Sequence, residues 1–311
     1  MNGLLASLQG AVAQGVLWGI MVLGVYITYR LMDIADLTVD GSFALGACVC
    51  AVLVVNKQVD PVVALLVSAM AGLAAGAVTG ILHTVFEIPA ILAGILTQIS
   101  LWSINLRLMG GKSNIPLLKV ETLISKFVKM TGLTQSQASM IIGIIAAIII
   151  IAFLYWFFGT EIGSAMRATG NNEDMVRALG VNTKMTKLLA LTLSNGLVGL
   201  SGALVCQSQK YGDINLGTGA IVIGLASIVI GEVLMGRLTS FYWKLTSVVV
   251  GSVTYFVIRA LVLRMGLDAN DMKLLSAIIV ALALSFPVVL SKYRLRSEER
   301  RVGKECRSRW S

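Results

Sequence analysis

A chain of 311 residues that is 57% hydrophobic and only 13% charged, with mean hydropathy +0.85, is excluded from the ordinary soluble domains. Its apolar runs approach the roughly 20 residues an α-helix needs to cross a bilayer core. The period-two alternation of a membrane β-barrel is absent. The sequence therefore reads as all-α: a polytopic integral membrane protein of about 8–10 transmembrane helices, with re-entrant segments among them.

Residues 296–311, RSEERRVGKECRSRWS, stand apart from the single transmembrane domain expected over 1–295. They resemble the in-frame translation of a sequencing-adapter oligonucleotide and are set aside as an artefact tail. Removing their six Lys/Arg and three Asp/Glu lowers the net charge from +9 to +6, an excess that needs no nucleic-acid partner. Cys48 and Cys50 lie in an apolar run, Cys206 at a span end and Cys306 in the tail, so no disulfide or metal framework emerges. With His83 the single histidine, no metal and no cofactor are expected. The N-terminus lacks a basic n-region, and its first apolar segment is expected to remain as a span.

In chain order, span one covers 11–29, with Gly15 and Gly19 placed for close helix approach. Residues 30–41 carry Asp33, Asp36 and Asp40. Three carboxylates beside a membrane segment suit a cation, but a polar elbow is the more ordinary reading. Span two, 42–55, is short, so part of 31–41 is expected to dip into the membrane as a broken helix. Pro61 opens span three, 61–82, where Ser68, Gly72, Gly76 and Gly80 form a small-residue groove for another helix. Span four, 88–109, carries Gln98, Trp102 and Asn105 on one face, which fits pore lining and interhelical hydrogen bonding equally. The stretch 115–130 is mildly amphipathic, and span five, 139–159, is Ile-rich, ends in an aromatic cluster and is expected to face lipid.

Between spans five and six lies a polar, charged but helical stretch, 160–187. Its first helix, 161–169, is expected to close at Gly170 in a left-handed C-cap. Asn171 or Asn172 then caps a second helix with Glu173 and Asp174 in its first turn, which stops at Gly180. Asn182 or Thr183 caps span six, 188–205, which bears Ser194 and Asn195. Span seven, 220–235, is short and ends near Glu232; span eight covers 244–263 and span nine 274–290. The Lys/Arg bias from Arg167, Arg177, Lys184 and Lys187 puts this knuckle on the cytoplasmic side and the N-terminus outside, although Lys112, Lys119, Lys126 and Lys129 then fall outside. Asp36, Asp40, Ser42, Gln98, Asn105, Ser194, Asn195 and Glu232 are the candidate pathway residues.

At Gly163-x-x-x-Arg167-Ala168-x-Gly170-Asn171-Asn172-x-x-Met175-x-x-Ala178-Leu179-Gly180 the knuckle resembles the cytoplasmic loop of ABC-importer permeases of the branched-chain amino acid and ribose type. Asp36-Leu37-Thr38-Val39-Asp40-Gly41-Ser42 with Gly46-Ala47, and Gly217-x-Gly219 continuing to Gly224, Ala226, Gly231 and Glu232, add to the resemblance, which spans about 10–293. It is most similar to a subgroup that includes members linked to aromatic amino acid uptake; the Glu-Ala-Ala sequence of other importer permeases is absent.

The resemblance implies a non-enzymatic transport subunit of the bacterial plasma (inner) membrane. Two permease copies, a homodimer, would form the pathway, an ABC ATPase dimer would dock on the knuckles, and an extracytoplasmic solute-binding protein would deliver a small polar solute. That solute is expected to be an amino acid, aromatic by resemblance, with a sugar or nucleoside still open. Apart from lipid, these are the expected partners. No G-x-x-x-x-G-K-[ST] occurs, so the motor must be borrowed. Gly163, Arg167, Ala168, Gly170, Asn171, Asn172, Glu173, Met175, Ala178, Leu179 and Gly180 would then couple the two chains; from the residues alone a plain connector is the better reading. The competing function is an ion-coupled secondary transporter or channel using Asp33, Asp36, Asp40 and Glu232.

Overall fold

The computed structural model describes residues 2–118, 120–235, 240–264 and the helical positions 274, 277, 278, 280–282 and 285, with side chains from residue 6 onward. α1 (Asn2–Tyr26) continues through a π-helical turn, Ile27–Leu31, before the backbone breaks. Then follow α2 (Thr38–Asn56), α3 (Pro61–Thr84) and α4 (Ala90–Leu108). A short strand β1 (Asn114–Pro116), α5 (Leu123–Thr131) and α6 (Gln135–Gly159) lead to the knuckle helices α7 (Glu161–Asn171) and α8 (Glu173–Ala178). The remainder comprises α9 (Thr183–Gln209), β2 (Tyr211–Asp213), α10 (Ala220–Met235) and α11 (Phe241–Arg264).

Among the described residues seven helices are long and apolar enough to cross a membrane, and the 16-residue α10 is a shorter apolar helix. At 1.5 Å per residue α10 reaches about 24 Å, less than the roughly 30 Å of a hydrocarbon core. The ninth expected span, 274–290, falls largely outside the described residues.

Lipid supplies no hydrophobic drive between helices, so close backbone approach and interhelical hydrogen bonds must hold the bundle together. α9 is its axis, packed along α1, α2 and α3. A Cβ on Gly72 would meet the Asn195 carbonyl, one on Gly76 the Leu191 carbonyl, one on Gly80 Leu188, and one on Gly199 would come within 2.8 Å of the Ser68 carbonyl. On its other side α9 takes the same treatment from α2, with Gly46 on Gly199 and Gly202 on the Phe43 carbonyl. Buried serines add hydrogen bonds between helices: Ser194 donates to the Gly24 carbonyl, Ser201 to that of Leu17 and Ser252 to that of Gly15, each at 2.8 Å. The outer helices expose Leu66, Met70, Ile99, Ile148, Ile149 and Trp156, as a lipid-facing surface requires.

Several ends lie beyond the apolar runs that announced them. α9 starts at Thr183 rather than 188 because the Asn182 side chain accepts from the Met185 N–H at 3.2 Å. α2 starts at Thr38 rather than 42 because Asp36 satisfies the Thr38 N–H. The two strands were not expected. They pair antiparallel, Ile115 opposite Gly212, and join the α4–α5 and α9–α10 connections at the end of the bundle away from the knuckle. Gln207 fastens the same end, donating to the Pro61 carbonyl and accepting from the Leu123 N–H.

Gly72→Leu should force α3 off α9 and destabilise the fold by about 1–3 kcal/mol, the usual range for overpacking. Gly10→Ala, where an added Cβ meets nothing, should leave stability unchanged or slightly raised. Thermal unfolding of the purified protein in detergent, followed by circular dichroism, measures both.

Candidate functional site

The knuckle is built from its caps inward. Thr160 caps α7 through Gly163 N–H, and Gly163 lies so close to the Phe157 carbonyl and Phe158 that no side chain fits there. Met166 and Val176 bury the inner faces of α7 and α8. Asn172 caps α8, its Oδ1 accepting from Met175 N–H at 3.0 Å, and Gly180 ends the unit at φ +85°. Gly170 departs from the expected left-handed C-cap: α7 runs through it to Asn171. Its missing side chain serves instead to admit the Leu31 carbonyl at the end of the π turn.

Glu173 locks the two short helices to α9. It accepts from Arg177 at 2.8 Å, Lys187 at 2.6 Å and the Thr183 hydroxyl at 3.1 Å. The hydrogen bond from Lys187 is the largest influence holding its carboxyl below the ordinary range, and burial opposes it. Thr186 adds a hydroxyl contact to Thr169 on α7 at 3.2 Å. The Arg167 guanidinium turns inward over the Phe241 ring of α11, 5.3 Å from its centroid. Ala168 is half-buried, whereas Asn171, Met175, Ala178, Leu179 and Gly180 are exposed.

The candidate pathway residues divide. Asp36 is buried, accepting from Thr38 N–H at 2.9 Å and from Asn195 Nδ2 at 2.7 Å. Asp40 caps the start of α10, accepting from the Gly219 and Ile221 N–H groups at 2.9 Å each. Asp33 is exposed at φ 54°, so the three carboxylates do not converge. Among the described residues no cluster of His, Cys, Asp and Glu suited to a metal forms. Ser42, Ser194, Asn195 and Asn105 are fully buried. Gln98 is half-buried where α4 crosses Gly41, while Trp102 points outward, so the face shared by Gln98, Trp102 and Asn105 does not line one channel. Glu232 reaches Arg30 at 2.8 Å.

Two cavities flank the bundle's middle, and α1, α10 and α11 contribute to both. The one at the knuckle end, about 830 Å³, is lined by Tyr26, Arg30, Arg167, Asn171, Glu232, Phe241 and Lys244. The one at the opposite end, about 940 Å³, is lined by Gln14, Trp18, Gln209, Tyr211, Asp213, Gly219, Val222, Phe256 and Arg259, among others. Between them the same helices close tightly: Gly224 on Val25, Gly231 on the Ser247 carbonyl, Gly251 on the Ser227 carbonyl. Sequence reasoning missed the second cavity because Trp18 and Arg259 sit inside apolar spans. An ionisable residue in such a span was the available signal.

A family model described as "branched-chain amino acid transport system / permease component" matches residues 7–295. A tyrosine transport system permease protein of Clostridioides difficile is 38% identical over 277 residues, 89% of this chain and 90% of its own length. An uncharacterized protein of Rickettsia prowazekii is 31% identical over 288 residues, 92% of this chain and 98% of its own. An autoinducer 2 import system permease protein of Escherichia coli is 30% identical over 192 residues, covering 59% and 53% of the two chains.

The lowered Glu173 carboxyl makes the knuckle acid-sensitive. Its stabilisation is complete above the ordinary glutamate value of about 4.5 and is lost as pH falls through the depressed folded value. Amide exchange over 172–187, corrected for intrinsic rates, should therefore accelerate below that pH in the wild type. Glu173→Gln should exchange faster already at pH 7 and lose the acid dependence.

Proposed function

Since the chain belongs to the branched-chain amino acid transport permease family, we propose that it is the membrane subunit of an amino acid importer driven by a separate ATPase. As a permease of this family it is a multi-pass protein of the bacterial inner membrane and a transport component rather than an enzyme. In this reading two copies of the chain form the pathway, an ATPase dimer seats one subunit under each knuckle, and an extracytoplasmic binding protein delivers the solute. The likeness to a tyrosine transport permease supports an aromatic amino acid as that solute.

The observation that carries the reading is the rigid knuckle with apolar tips. Met175 and Leu179 stand 50% and 74% exposed on a unit otherwise pinned by caps, ion pairs and buried Met166 and Val176. A connector between spans has no need of such rigidity, and exposed apolar side chains on a rigid polar unit fit a partner's cleft. Arg167 and Gly170 act on the inner side, tying the knuckle to α11 and to the end of α1. Of the carboxylates an ion-coupled carrier would use, Asp36, Asp40 and Glu232 are each engaged in a cap or an ion pair, and Asp33 is exposed apart from them.

Met175→Ser combined with Leu179→Asp should reduce ATPase co-purification and ATP-dependent uptake about ten-fold or more, the scale of losing a central apolar anchor. Expression and thermal stability should be unaffected. Uptake and ATPase binding that survive the double substitution would sink the docking proposal, and uptake by the permease alone on an ion gradient would replace it.

A further inference from the structure

Resting on the reading of the chain as an amino acid permease, we propose that the 940 Å³ cavity opposite the knuckle is a subsite for a zwitterionic aromatic amino acid, built within one copy of the chain. Its lining carries the complementary chemistry. Arg259 forms no ion pair among the described residues and lies over the Phe256 ring, 5.7 Å from its centroid, which leaves a guanidinium for a carboxylate. Asp213 on β2 is held in place by Asn114 Nδ2 at 3.3 Å and the Asn215 N–H at 2.7 Å, and offers its charge to an ammonium group.

Among the described residues, two further groups in the same lining lack partners of their own. The Trp18 side chain is only 6% exposed, yet its Nε1 donates to nothing, and the enclosed Gln209 Oε1 accepts nothing. Buried polar atoms are nearly always hydrogen-bonded, and a buried indole N–H in particular finds a partner. Both atoms are themselves covered, so the cavity wall holds one unmet donor and one unmet acceptor that a turn of either side chain would bring to a ligand carrying both kinds of group.

The apolar component comes from Trp18 and Phe256, whose rings are 5.5 Å apart and tilted 49° and, at 6% and 2% exposure, offer a third ring their edges rather than their faces. The volume lies within the range of ordinary small-molecule sites, about 300–1,000 Å³. A fixed cation and a fixed anion in one compartment reject a solute lacking either of its charges, since the unmatched protein group would be left desolvated and unpaired. The knuckle-end cavity lacks this balance, with Arg30, Arg167 and Lys244 facing the single carboxylate Glu232, which Arg30 already engages.

The test uses the full-length permease in lipid nanodiscs, without binding protein or ATPase, and saturation-transfer NMR with three probes. These are L-tyrosine, tyramine (no carboxylate) and 3-(4-hydroxyphenyl)propionate (no ammonium). L-tyrosine should bind about ten-fold or more tightly than either analogue, the scale of one charged hydrogen bond. Arg259→Gln should abolish the preference over tyramine while retaining tyramine binding, and Arg259→Lys should restore part of it. Trp18→Phe keeps an aromatic ring but removes the N–H, and should weaken the two carboxylate-bearing probes while leaving tyramine binding unchanged. Equal binding of all three probes, no binding, or a tyramine preference unchanged in Arg259→Gln overturns the subsite. Failure of the importer reading would show separately, as uptake by the assembled transporter that does not require ATP.

Discussion

A backbone N–H inside hydrocarbon has no water to fall back on, and the packing of this bundle follows from how that demand is met. Two helices, α2 and α10, begin within the bundle rather than at its edge, each exposing unpaired N–H groups at its positive end. Asp36 answers for α2, and Asp40, on the first turn of α2, answers for α10. The second arrangement also fixes the two breaks to one another, since Gly217 lies directly against the Asp40 carbonyl. Asp36 is in turn bound by Asn195 from the axial helix, so one hydrogen-bonded chain runs from α9 through α2 to α10. Beside it the Thr38, Thr79 and Thr97 hydroxyls connect α2, α3 and α4 at 2.8 and 3.0 Å.

This network leaves α1, α10 and α11 as the helices bordering both cavities. Their central crossings set Gly231 and Gly251 on backbone and Gly224 on the Val25 side chain, which permits sliding or tilting with little side-chain repacking but leaves no room for a solute when closed. The knuckle grips the same wall: Gly170 sits on the Leu31 carbonyl at the end of α1's π turn, and Arg167 sits on Phe241 at the start of α11. Because Glu173 binds both Arg177 and Lys187, a force on α8 reaches α9 as well. Rigid short helices joined by tight contacts carry displacement without absorbing it, which is the mechanical property a coupling element needs.

Much of this was legible in the sequence wherever a signal was local. The apolar runs announced the helices, the pairs Asn171 or Asn172 and Asn182 or Thr183 held the caps that Asn172 and Asn182 supply, and the short spans beginning near 42 and 220 pointed to the breaks before α2 and α10. The signal failed where one residue type serves two physical ends. Gly170 near a helix terminus looks like a C-cap, yet its small size is used for approach to Leu31, a contact 139 positions away that no local pattern encodes. Strands of three residues carry no periodicity, so β1 and β2 went unread. Trp18 and Arg259 were absorbed into hydrophobic spans, although the fold brings both to one cavity.

The same ambiguity bears on how polar residues within spans should be weighed. Ser42, Ser194, Asn195 and Asn105 drew attention as pathway candidates because polar groups at membrane depth are unfavourable unless used. Ser194 and Asn195 are used, but for holding helices: Ser194 donates to α1 and Asn195 to Asp36 in the break before α2, and none of the four lines either cavity. The charged groups that line the cavities, Arg30, Glu232, Lys244, Asp213 and Arg259 among them, lie nearer the ends of their elements, where a side chain reaches a wet compartment without desolvating itself. In a bundle whose centre is closed by glycine and serine, solute chemistry is therefore to be sought in the end cavities and the strength of the fold in the polar middle.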